Sequence, residues 1–176
     1  MNIKRVWAMP AGAHTFDCKP IGDFVQKYLS ESRISLDPFA GNKHWATYTN
    51  DLNPQYVTNY HLDALEFLQE MRDVGVRPDF VIFDPPYSPR QIKELYDSIG
   101  LTTYQEMAHK TAGWKSERDI INEILQDEGV VVTCNWNSCG MGKGRGYEIL
   151  EILLVCHGAA HNDTICMAER KRKRLL

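Results

Sequence analysis

Phe80-Val81-Ile82-Phe83-Asp84-Pro85-Pro86-Tyr87 is the stretch whose reading decides the fold. A continuous run of aromatic and β-branched residues is what a parallel strand buried on both faces requires. Two consecutive prolines then end it, because each lacks a backbone N–H and fixes φ in an extended turn. A carboxylate and an aromatic ring bracket the prolines. From average composition this tetrapeptide arises by chance on the order of once per thousand chains of this size, so its place directly after a strand is informative.

Outward from this strand, short apolar runs alternate with helical patterns. Ile34 to Phe39 predicts a strand ending at a turn punctuated by Pro38 and Gly41, and Ala46 to Thr49 predicts a second. Val130 to Cys134 predicts another buried strand. Glu148 to Val155 and Thr164 to Ala168 predict a late pair joined through residues 157–163. Helical spacing appears over Pro20 to Leu29, over Asp63 to Met71, and in polar form over Gln91 to Gln126 with a break at Gly113-Trp114-Lys115. The expectation is an α/β chain: a doubly wound, mostly parallel sheet with a late antiparallel strand pair. It forms one domain over residues 1–176, with a basic tail at 170–176.

The 176 residues are 43% hydrophobic and 24% charged, with a formal net charge of −3. That composition excludes a disordered chain and a dedicated cationic wrapper of nucleic acid. No apolar run reaches the roughly 18 residues a membrane helix needs, and Met1 to Pro10 lacks a signal-like apolar core, so a soluble, cytoplasmic protein without a membrane partner is expected. Cys18, Cys134, Cys139, Cys156 and Cys166 mostly read as buried thiols. Zinc ligation by Cys134, Cys139, Cys156, His157 and His161 is the alternative; the spacing fits poorly and no metal site is expected.

Asp37 and Asp84 each close a strand, and Asp51 follows another. A doubly wound sheet binds ligands outside the carboxyl ends of its strands, which gathers the three along one edge. Each taken singly also suits a helix N-cap or a turn. At Asp84-Pro85-Pro86-Tyr87 the paired prolines leave carbonyl acceptors beside a carboxylate and a ring, a set suited to a planar ligand carrying an NH2 group.

These residues resemble the S-adenosylmethionine-dependent methyltransferases that act on exocyclic amines of adenine or cytosine in DNA, in a small version without a recognition domain. Asp84 to Tyr87 is similar to their base-holding motif, and Asp37-Pro38-Phe39-Ala40-Gly41 to the turn that opens their cofactor site. The resemblance spans about Thr15 to Val155. It implies a Rossmann-like methyltransferase fold, with Asp84, Pro85, Pro86 and Tyr87 as catalytic residues. It further implies cofactor contacts from Lys19 in the early Thr15 to Ile21 segment, from Asp37, Pro38, Phe39 and Gly41, from Asp51 at the ribose, and from Asp63 and Ala64 at the adenine. Lys43 stands where that turn usually carries its second glycine. The implied activity is adenine-N6 methylation of DNA; without a recognition domain, either sequence specificity is poor or a partner chain supplies target recognition. An RNA base amine, or a non-catalytic nucleic-acid-binding subunit of the same fold, are the alternatives.

Three further features carry weaker expectations. Gly140 to Gly146, with Lys143 and Arg145, reads as a mobile surface loop or a phosphate contact. Arg170 to Arg174 reads as a solvated basic run, with contact to a nucleic-acid backbone as the alternative. Trp45, Trp114 and Trp136 read as core residues, with base platforms as the alternative.

Overall fold

The computed structural model describes residues 1–10, 12, 14–100 and 113–173. Phe80–Phe83 is a strand, β4, buried along its whole length. Its side chains alternate between two cores, as the period of two requires. Phe80 and Ile82 join Phe24 and Val25 of helix α1 (Lys19–Leu29), whereas Val81 and Phe83 join Phe67, Leu68 and Met71 of α2 (Ala64–Asp73). Helices α3 (Pro89–Ser98) and α4 (Lys115–Ile124) share the α2 face through Ile92, Tyr96 and Ile121.

The remaining strands are β1 (Asn2–Trp7), β2 (Ser35–Asp37), β3 (Tyr48–Thr49), β5 (Val130–Asn135), β6 (Tyr147–Cys156) and β7 (Thr164–Lys171). They form one seven-stranded sheet in the order β1-β6-β7-β5-β4-β2-β3. Only β7 runs antiparallel to its neighbours, paired in register with β5 at Val132↔Ala168 and with β6 at Ile152↔Met167. The doubly wound sheet and its late antiparallel pair therefore match the sequence reading. The chain order reverses between β2 and β4, so the crevice expected at such a switch point lies outside Asp37 and Asp84.

β1 escaped the sequence reading. It is an edge strand parallel to β6, and five of its six residues are exposed, so no apolar period marks it. Beyond its carboxyl end, His14, Thr15 and Phe16 line the cleft at the crevice.

Two sequence expectations are corrected here. The tail reading at 170–176 fails in its first two residues, because β7 continues through Lys171. Lys171 is buried, with Nζ donating to the carbonyls of Asn122 and Leu125, both at 2.6 Å, and Arg170 Nε donates to Glu148 at 2.9 Å. Carbonyls and a carboxylate thus compensate charges that sequence alone assigns to water. Arg174 to Leu176 lie outside the described residues, as do residues 101–112 of the helical reading over Gln91 to Gln126.

The Gly140–Gly146 loop is strapped rather than mobile. It crosses the sheet face from β5 to β6 and buries Met141 in the α2–α4 core. Glu169, buried on β7, accepts from Met141 N at 2.6 Å and Gly142 N at 3.0 Å. Arg118 donates to Cys139 O at 2.8 Å, and Arg145 Nε to Asp119 at 2.8 Å. The Arg145 guanidinium is therefore committed within the fold.

Candidate active site

The β4–α3 turn is locked by its own sequence. Pro85 and Pro86 extend it, Ser88 Oγ caps α3 by accepting from Gln91 N at 3.2 Å, and Pro89 opens the helix, where a missing N–H costs nothing. Gln91 Oε1 accepts from Tyr87 N at 2.7 Å, which fixes the ring's departure from the turn. The Tyr87 phenol donates to the Asp84 carboxylate and lies 3.3 Å from Thr15 Oγ1. Trp136, just past β5, meets the Tyr87 ring edge-on at a centroid distance of 5.6 Å. Burial pushes the Asp84 carboxyl up to about 6, against the hydrogen bonds from Tyr87 and Thr15 that favour its charge.

The second wall comes from the β2 turn. Gly41 adopts φ +53°, a left-handed conformation that favours glycine, and its N–H donates to Asp51 Oδ2 at 2.9 Å. Asp51 Oδ1 accepts from Asn53 N at 2.8 Å. Burial raises the Asp51 pKa, opposed by those two backbone N–H groups and by His61 and His14. Asn50, buried and missed by sequence reasoning, donates to Pro38 O at 3.1 Å and Leu62 O at 2.9 Å, joining the turn to the start of α2.

Three cavities follow one another along this edge. The central cleft, about 380 Å³, is lined by Phe39, Gly41, Asp51, Asp84, Pro85, Pro86 and Tyr87 among the expected residues. His14, Tyr56 and Gln91 also line it; none of the three carried a sequence signal beyond its residue type. A small recess of about 30 Å³ holds Pro38, Asp63 and Ala64 and shares Phe39, Asp51, Pro86 and Leu95 with the cleft. A third cavity, about 250 Å³, adjoins the cleft through Thr15, Tyr87 and Gln91.

Some expected residues stand elsewhere. Lys19 is corrected: its side chain is 82% exposed on α1 and pairs with Asp23 at 2.7 Å, lining none of these cavities. It opens α1 just after the turn of Thr15 and Phe16, which do line the cleft. Asp37 is corrected too. It is fully buried beneath the turn, with Oδ1 accepting from Phe39 N at 3.0 Å and Oδ2 without a partner among the described residues. Burial pushes its carboxyl well above the ordinary range, and the charges of Asp84 and Asp51 add to that. Asp63 caps α2 through Leu65 N at 3.0 Å and accepts from Tyr96 Oη at 2.7 Å while lining the recess.

Lys43 does reach the cleft, where Nζ pairs with Asp17 at 2.6 Å and sits over Trp45. Trp114 is buried as expected, packed edge-on to Phe39 at 5.1 Å; Trp136 is 39% exposed, against the core reading, because it sits beyond the strand end at the third cavity. The cysteine–histidine set weighed for zinc is dispersed: Cys134 lies 3.3 Å from Cys166 in the core, Cys139 is exposed, and Cys156 accepts from Arg5 Nε at 3.0 Å. Cys18, Cys134, Cys156 and Cys166 are the buried thiols expected.

No family model matches the chain, and no curated protein matches it. Solved structures do. The N-methyltransferase NodS of Bradyrhizobium japonicum WM9, in complex with S-adenosyl-L-homocysteine, superposes with a TM-score of 0.57 at 10% identity, over 92% of this chain and 90% of NodS. A protein of Streptococcus mutans described as a SAM-dependent methyltransferase gives 0.56 at 12% identity, over 90% of this chain and 50% of its own, so this chain spans half that length. NSun6 of Pyrococcus horikoshii gives 0.55 at 14% identity, over 85% of this chain and 51% of its own. At these identities the likeness speaks for the fold: the chain has the Rossmann-like methyltransferase fold.

Proposed function

We propose that the chain is an S-adenosylmethionine-dependent methyltransferase acting on the exocyclic amine of a nucleic-acid base, adenine N6 in DNA. The observation that carries this reading is the position of Asp84, which lines the cleft on a turn that two prolines hold rigid and accepts from Tyr87, a residue shared by the cleft and the third cavity. The residues of the cleft fit the cofactor. Phe39, Pro86 and Leu95 offer an apolar wall for a heterocycle, and Asp51 keeps acceptor capacity for ribose hydroxyls beyond its two backbone donors. Lys43 and His14 line the same cleft near Gly41 and suit an amino-acid moiety. When bound, S-adenosylmethionine supplies an electrophilic methyl group on a sulfonium.

An exocyclic amine is a poor nucleophile while its lone pair is delocalised into the ring. The Asp84 carboxylate and the Pro85 carbonyl accept its two N–H groups and favour a pyramidal nitrogen. Positive charge grows on that nitrogen as it takes the methyl group and a neutral thioether is left behind; the preorganised Asp84 carboxylate stabilises that charge without reorganisation, and the surplus proton passes to Asp84 or to water. With a pKa of about 6, Asp84 is mostly ionised at neutral pH. The Tyr87 phenol occupies Asp84 in the free protein and yields to the amine, leaving its ring to stack on the base. A partner chain that supplies target recognition completes this reading.

Incubation with tritiated cofactor and unmodified DNA or RNA, followed by digestion to nucleosides, tests it. Label in N6-methyldeoxyadenosine is expected. Label in another nucleoside reassigns the acceptor, and cofactor binding without transfer to either polymer contradicts the proposal for the isolated chain.

A further inference from the structure

The third cavity lies across Tyr87 from the cofactor cleft, and its outer wall is the connection between β6 and β7. That connection is built to hold position. His157 is buried; Nδ1 lies 2.8 Å from Ala8 O, Nε2 lies 3.0 Å from Thr164 Oγ1, and its backbone N–H donates to Asp163 at 3.2 Å. With both ring nitrogens used inside the fold, His157 is a positioning residue. Gly158 turns the chain at φ +91°, and the His161 N–H closes the turn on Gly158 O at 3.1 Å.

The side chains carried past that anchor are of a different kind. His161 and Asn162 line the cavity, stand exposed, and make no side-chain hydrogen bond among the described residues. Asn offers one acceptor and two donors, and a neutral imidazole one of each, enough to match the edge of a heterocycle. Trp136 lines the same cavity, 39% exposed although tryptophan is mostly buried. Rings stack on such a surface at low entropic cost.

We infer that the β6–β7 connection is the specificity element of the reaction. Asn162 and His161 read the hydrogen-bonding edge of the acceptor base in the third cavity, where Trp136 adds an aromatic wall beside Tyr87. This rests on the reading of Asp84 as the group that holds the acceptor amine, because Tyr87, which donates to Asp84, lines both the cleft and the third cavity. A site that hydrogen-bonds one base leaves its polar groups unpaired against another and so discriminates strongly.

The test reads binding rather than transfer. Deoxynucleoside monophosphates of adenine, cytosine, guanine and thymine are titrated separately into the full chain while the tryptophan indole N–H signals are followed by NMR. The Trp136 signal is assigned with Trp136→Phe. One nucleotide is expected to shift that signal saturably. Asn162→Ala and His161→Ala should each weaken that nucleotide by about tenfold or more, at the lower end of what a base-reading contact supplies, with S-adenosylmethionine affinity unchanged. Asn162→Asp, which exchanges donors for an acceptor at constant size, should lower selectivity among the four. A Trp136 signal unmoved by any nucleotide, or variants that bind all four as the parent does, overturns the inference. If the parent transfers methyl groups to DNA while giving such a result, only this inference falls. If nucleotides bind selectively and no polymer is methylated, the proposed function falls instead.

Discussion

The Tyr87 phenol donates a hydrogen bond to the carboxylate of Asp84, three residues earlier in the same turn. The carboxylate proposed to hold the acceptor is thus satisfied by its own chain in the free protein. Burial and the Tyr87 bond act on Asp84 in opposite directions: burial pushes its pKa up to about 6, and the bond restrains that rise.

Activity should therefore rise with pH through about 6, as Asp84 loses its proton and becomes an acceptor for the amine. Tyr87→Phe removes the hydrogen bond that favours the charged form, so the acid limb should move to higher pH. A pH profile of kcat/KM for parent and variant measures this. An acid limb at the same pH in both would separate Tyr87 from the titration of Asp84.

Asp84→Asn should stabilise the fold at alkaline pH. A carboxyl whose folded pKa of about 6 exceeds its ordinary 3.8 binds its proton more tightly when folded. Its contribution is full at low pH and is lost as pH rises through that window, a cost of about 2–3 kcal/mol above it. Asparagine carries no charge and still accepts from Tyr87. Urea unfolding at pH 8 should favour the variant by up to that amount, and the difference should shrink toward pH 4. A variant less stable than the parent at pH 8 would contradict the buried-charge account.

Asp51→Ala should weaken S-adenosylmethionine binding by about 1–3 kcal/mol, the range for hydrogen bonds to a charged acceptor. The loss combines a ribose acceptor with the anchor that holds the Gly41 and Asn53 N–H groups. Calorimetry reads it directly, and an unchanged Kd would remove Asp51 from the site.

Glu169→Ala should cost about 2–4 kcal/mol of stability, because it leaves the Met141 and Gly142 N–H groups without an acceptor beneath the crossover. Gly140→Ala should do similar harm, since its Cβ would stand 1.9 Å from Glu169 Oε2. Thermal unfolding of both variants checks this, and melting like the parent's would show the strap to be dispensable.

The sheet was legible because buried parallel strands leave continuous apolar runs, as Phe80–Phe83 does. The carboxyl-edge cleft followed from strand-end residues such as Asp84 and Asp51. What stayed hidden depends on contacts between distant segments. β1 buries too little to show a period, and Trp136 shows its exposure only once β5 has placed it. The depth of Asp37 could not be told from that of Asp84, because both close strands and only the tertiary fold covers one of them. Lys19 illustrates the finest limit: the chain breaks at the extended Cys18, so Lys19 opens α1 with its side chain exposed while Thr15 and Phe16, in the preceding turn, line the cleft.

The central claim is that Asp84 holds the acceptor amine while the cofactor binds elsewhere in the cleft. Methyl transfer to unmodified DNA by the parent and by Asp84→Asn, each with S-adenosylmethionine affinity measured on the same preparation, tests it most directly. The account predicts a loss of transfer of about a hundred- to thousandfold with affinity unchanged, the usual effect of removing one preorganised electrostatic group. Undiminished transfer by Asp84→Asn would contradict it.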